Sequence, residues 1–116
     1  MLIFKKKQES AFSKDEELNF IFNCINFIKE DLEEINPFEN DFEIQSFISE
    51  IILFGEHYKI RNELNIQKLI YFNLKFRFVL NDKTKYSSIL NDVTINEDVR
   101  VVNFHKFLLK QEGIID

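Results

Sequence analysis

Leu74-Lys75-Phe76-Arg77-Phe78-Val79-Leu80 decides the fold class, because it is where the sequence departs from helical spacing. Leu74, Phe76, Phe78 and Leu80 alternate with Lys75, Arg77 and Val79, the two-residue period of a strand. No second alternating run is available to pair with it, and an orphan strand would leave its backbone N–H and C=O groups without partners. The missing partner outweighs the alternation, so helix is expected to run on to about residue 79.

Working outward, the flanking sequence is helical on both sides. Before the alternation, Ile66, Leu69, Ile70 and Asn73 keep the helical step behind a cap at Asn62 or Asn65. Asn40 and Glu43 form a capping box, and Phe42, Ile44, Phe47, Ile48, Ile51, Ile52 and Phe54 spread a broad apolar face to about Tyr58. Ser13 and Glu16 form another box, followed by Leu18, Ile21, Ile25, Ile28, Leu32 and Ile35 at three- and four-residue steps. That pattern predicts one amphipathic helix of about five turns, ended by Pro37. The short connection at 36–40 predicts that the first two helices pack as an antiparallel hairpin.

After the alternation, Asn81-Asp82-Lys83 reads as a turn, 86–90 as a short helix and Asn91-Asp92 as another turn. Thr94 and Glu97 suggest a third capping box, ahead of Val99, Val102, Phe104, Leu108 and Leu109, with Gly113 as the C-cap. The expectation is an all-α, single-domain bundle of four main helices and a short fifth. Residues 13–116 form that domain, and 1–12 are expected to be a mobile N-terminal segment.

Composition agrees. A chain of 116 residues with 45% hydrophobic side chains is long and apolar enough to bury one core and too short for two. Only two Gly and one Pro argue against β-sandwiches and Gly-rich phosphate loops, both of which need such residues as punctuation. The fourteen Phe accompany abundant Ile, Asn and Lys, the bias of an AT-rich genome, and so are not evidence of an aromatic binding surface. Cys24 has no cysteine with which to pair, and Lys5-Lys6-Lys7 follows the apolar Leu2-Ile3-Phe4 rather than preceding it as in a secretory signal. A reducing, cytoplasmic address is expected.

Motifs that carry catalysis are absent: there is no GxGxxG, GxxxxGK[ST], GxSxG or HExxH. No enzyme activity and no cofactor are therefore expected. Cys24, His57 and His105 are the soft donors, and Cys24 falls on the apolar face of its helix, which makes it a buried structural thiol rather than a metal ligand. Charge is more informative. Residues 15–50 carry eleven acidic side chains and one lysine, against a net charge of -5 for the whole chain. Such a segment disfavours nucleic acid and suits a basic protein partner. The candidate partner-binding residues are Glu30, Asp31, Glu33, Glu34, Glu39, Asp41 and Glu43. They lack the alternating spacing and central glycine of a calcium loop. No run of residues is apolar enough to suggest a membrane partner.

From Phe47 onward an apolar helix runs into Tyr58-Lys59-Ile60-Arg61-Asn62-Glu63-Leu64-Asn65-Ile66. An apolar segment then ends in Phe78-Val79-Leu80-Asn81-Asp82, followed by Ile89-Leu90-Asn91-Asp92 and a last helix with Arg100. This order, which covers about half the chain and rests on spacing, resembles a family of small helical proteins encoded beside toxic effectors of bacterial type VI secretion systems. The resemblance implies an effector-associated or immunity-type protein that binds and neutralises, or escorts, a cognate toxin. It offers no catalytic residues to carry over. The alternative expectation is a structural or adaptor subunit whose exposed Phe and Ile positions complete a larger assembly.

Overall fold

The computed structural model describes residues 14–78 and 86–115. Five α-helices follow in order: α1 Lys14–Asn26, α2 Asp41–His57, α3 Glu63–Phe76, α4 Ser87–Leu90 and α5 Glu97–Gln111. No strand occurs among the described residues, so the fold is all-α, with four main helices and a short one. α1 packs on α2, α2 on α3, α3 on α5, and α4 on α5. The expectations for 1–12, for Ser13 and for the turn at 81–83 lie outside the described residues.

The first helix differs from its sequence reading in two ways. Regular winding stops at Asn26, and the chain continues as one π turn, Phe27–Asp31, and one 3-10 turn, Glu33–Ile35. The wide turn is closed by Leu32 N–H donating to the Phe27 carbonyl at 3.1 Å, the tight one by Ile35 N–H donating to Leu32 at 3.0 Å. The buried face is also rotated: Phe20, Ile21, Cys24 and Ile28 point inward, while Leu18 is 55% exposed. An aromatic ring hides more apolar area than a leucine, so the helix turns Phe20 to the core at Leu18's expense.

α2 begins as expected, with the Asn40 side chain accepting from Glu43 N–H at 2.9 Å. The Glu43 carboxylate returns to Glu39 N–H at 2.9 Å, one residue upstream of the usual box. At its other end, Lys59 N–H donates to Glu56 and Ile60 N–H to Gly55, at 3.1 and 2.8 Å. This double closure puts Lys59 in the left-handed region, at φ 59°, where glycine is the usual occupant. Gly55 lets the returning loop come close, since a Cβ there would lie 2.7 Å from both the Ile60 carbonyl oxygen and Ile66 Cδ1.

Of the two candidate caps for α3, Asn62 serves, accepting from Leu64 N–H at 2.9 Å. The helix stops at Phe76, three residues short of the expected end. Arg77 adopts φ 57°, and the Asn73 amide holds the Phe78 carbonyl at 2.7 Å. This turn sends Phe78 into the core, which accounts for an apolar residue at that point of the alternation without a strand. At α5 the expected Thr94–Glu97 box does not form. Asn96 is the cap, accepting from Asp98 N–H at 2.7 Å, and Thr94 bonds back to Asp92. Gly113, at φ 75°, closes the C-terminus with Ile114 N–H donating to Leu109 at 2.9 Å.

Two polar devices fasten α5 to its neighbours. The Glu97 carboxylate accepts from Arg61 N–H at 3.1 Å, Asn62 N–H at 2.9 Å and the buried Asn65 amide at 3.0 Å. It thus places negative charge on the N-terminus of α3. Arg100 is 3% exposed and donates to the carbonyls of Tyr58, Leu90 and Ile95 at 2.6, 2.7 and 3.0 Å. Its cation sits at the C-terminal, negative ends of α2 and α4. Phe54, Phe72, Phe78, Tyr86 and Phe104 pack against one another in edge-on and tilted contacts within the core.

Candidate partner-binding groove

The irregular end of α1 has a consequence for the acidic edge. In a helix of uniform winding Glu30, Glu33 and Glu34 would share one face, with Asp31 about 60° further round. Through the π turn and the 3-10 turn, all four line one groove of about 400 Å³ together with Leu32 and Ile35. The opposite wall is Tyr71 and Lys75, one turn apart on α3. Four carboxylates thus face one ammonium across a concavity with an aromatic side chain in its wall, a place suited to a cationic side chain with an apolar stem.

Glu39, Asp41 and Glu43 do not join this groove. They cluster at the start of α2, where Glu43 is engaged in capping and Asp41 pairs with Lys29 at 3.0 Å. Both members of that pair are exposed, so it contributes little stability. The seven candidates are therefore two sets with different neighbours. Tyr71 and Lys75 were not legible as part of the site, because their proximity to the acidic edge depends on how α3 packs. Their four-residue spacing, which puts them on one helix face, is the single local sign.

Cys24 is fully buried, and desolvation pushes its thiol up to about 12, with Gln67 hydrogen bonding acting in the opposite direction. His57 packs edge-on against Tyr58, and His105 stacks on Phe72 at 4.6 Å. Among the described residues, no three His, Cys, Asp or Glu side chains are grouped so as to hold a metal ion. No helix among them is long and apolar enough to cross a membrane.

The chain matches no protein-family model, no curated protein and no solved structure.

Proposed function

We propose that the chain is a non-enzymatic protein-binding module, an immunity-type inhibitor or escort of a basic bacterial toxin, with the groove between the end of α1 and α3 as its capture edge. The observation that carries this reading is the convergence of Glu30, Asp31, Glu33 and Glu34 opposite Tyr71 and Lys75. Clefts lined by one sign of charge focus the field and speed the arrival of an oppositely charged partner. The order of features from Phe47 to Arg100 supplies the toxin-associated context. Titrating the chain against the product of its neighbouring gene at two ionic strengths tests the reading. Reversing Glu30, Glu33 and Glu34 to lysine should slow association about ten- to a thousandfold at low salt and leave the circular dichroism spectrum unchanged.

A structural or adaptor role is the second reading, favoured by the exposed Phe22, Phe42 and Leu53, at 63%, 76% and 68%. Binding that is indifferent to salt and to the three reversals, and is lost on Phe42→Ser, would select it.

A further inference from the structure

The groove between the end of α1 and α3 is unbalanced in charge. Its four carboxylates and the one ammonium of Lys75 leave a formal charge of -3, and among the described residues no cation pairs with any of the four. Lys29, the chain neighbour of Glu30, is held by Asp41 at 3.0 Å. The half-buried Leu32, Ile35 and Tyr71 give the lining an apolar share, which suits the methylene stem of a lysine as well as its head.

The chain carries the complement of this charge just ahead of the described residues. Lys5-Lys6-Lys7 is the only run of three adjacent basic residues in the sequence, with a formal charge of +3. It is also tied close to the groove. α1 starts at Lys14, and the rise from there to Glu30 is about 24 Å at helical pitch. Lys7 and Lys5 stand seven and nine residues before Lys14, and extended chain of those lengths spans at most about 25 and 32 Å. A segment doubling back along α1 therefore brings the run to the groove. So short a tether sets its effective concentration there on the order of millimolar, well above that of a free cationic partner. We propose that Lys5-Lys6-Lys7 of the same chain occupies the acidic groove and competes there with the basic partner, a regulation that rests on the reading of this groove as the capture edge. Covered for about half to nine-tenths of the time, the groove would bind that partner about two- to tenfold less tightly.

A nitroxide attached to Gln8→Cys reads the position of the run in the isolated full chain, since the buried Cys24 does not take the label. In amide NMR spectra at about 20 mM salt, the signals of Glu30, Asp31, Glu33, Glu34 and Lys75 should lose at least half their intensity relative to the reduced label, and should recover it at about 0.5 M salt. Replacing the three lysines together (Lys5→Glu, Lys6→Glu, Lys7→Glu), or the groove residues together (Glu30→Lys, Glu33→Lys, Glu34→Lys), should abolish the loss. The first set lies ahead of the helices, so it reads the contact even where the second disturbs the fold. Signals that stay sharp overturn the proposal. So does broadening that survives the lysine replacement, that stops at Leu18, or that passes between labelled and unlabelled chains in a mixture. No partner is present in this experiment, so a negative result leaves the capture reading standing. Broadening as expected, with toxin association indifferent to the three groove reversals, would instead sink the capture reading and leave the self-contact.

Discussion

Gly55 and Lys59 stand four residues apart at one helix end and pose opposite steric problems. A methyl group on Gly55 would press on the Ile60 carbonyl, which is backbone and cannot swing aside. Gly55→Ala is therefore expected to destabilise the protein by about 1–3 kcal/mol in urea unfolding, despite the better helix propensity of alanine. Lys59 holds left-handed backbone that costs a side-chain-bearing residue about 1 kcal/mol, so Lys59→Gly should raise stability by up to about that amount. Cys24 offers a pH test. Its thiol is raised from 9.0 to about 12 by burial, so the folded chain keeps the proton that the unfolded chain releases near 9. The stabilisation is complete below pH 9 and is lost as pH rises toward 12. Comparing the native chain with Cys24→Val should show an extra downward slope of stability with pH in that window, present in the native chain alone. None of these three environments is a property of the residue type. Cys24 was legible because its helical spacing placed it among isoleucines, whereas the clash at Gly55 depends on a loop that returns from outside the helix.

At the scale of elements, the parts that local spacing controls were readable and the parts that long-range contacts control were not. Asn40 and Asn62 cap their helices because the chain immediately ahead supplies the N–H groups they bind. Asn65 and Thr94 had equal local claims. Asn65 instead binds Glu97 and Asp98, more than thirty residues away, and Thr94 binds Asp92. The strand-like alternation at 74–78 resolves into a helix end followed by a left-handed turn, because Phe78 has aromatic neighbours in the core that no strand partner could offer. Arg100 carries the clearest element-level prediction. Arg100→Met keeps an unbranched apolar stem but leaves the carbonyls of Tyr58, Leu90 and Ile95 buried without their donor. Hydrogen bonds to a charged group contribute about 1.5–3 kcal/mol each, so a loss of at least about 3 kcal/mol is expected in chemical unfolding. Arg100→Lys should recover only part of it, since one ammonium cannot reach along the fork of a guanidinium.

Over the whole molecule, negative charge and concavity coincide at the end of α1, whereas the exposed Val99 and Val102 lie on α5. The two surfaces are built from different helices, so a variant altered at one should leave the other intact. The acidic sequence announced the first surface in composition but not in shape, since it joined two sets of carboxylates that folding separates. The first set begins in the π turn, a place where the chain holds one residue more than a regular helix needs. In terms of insertion and deletion, that extra residue is a slot. Removing Glu30 would bring Ile28 and the residue now at position 32 into an ordinary three-residue step on the same face, so the core anchors on either side keep their places. Such a shortened chain should fold with a stability change of under about 1 kcal/mol, whereas deleting Ser49 from the middle of α2 turns every later side chain by about 100° and should unfold it. Thermal melts of the two deletions make the comparison. A chain shortened at this one turn would thus offer a partner one carboxylate fewer on the same bundle.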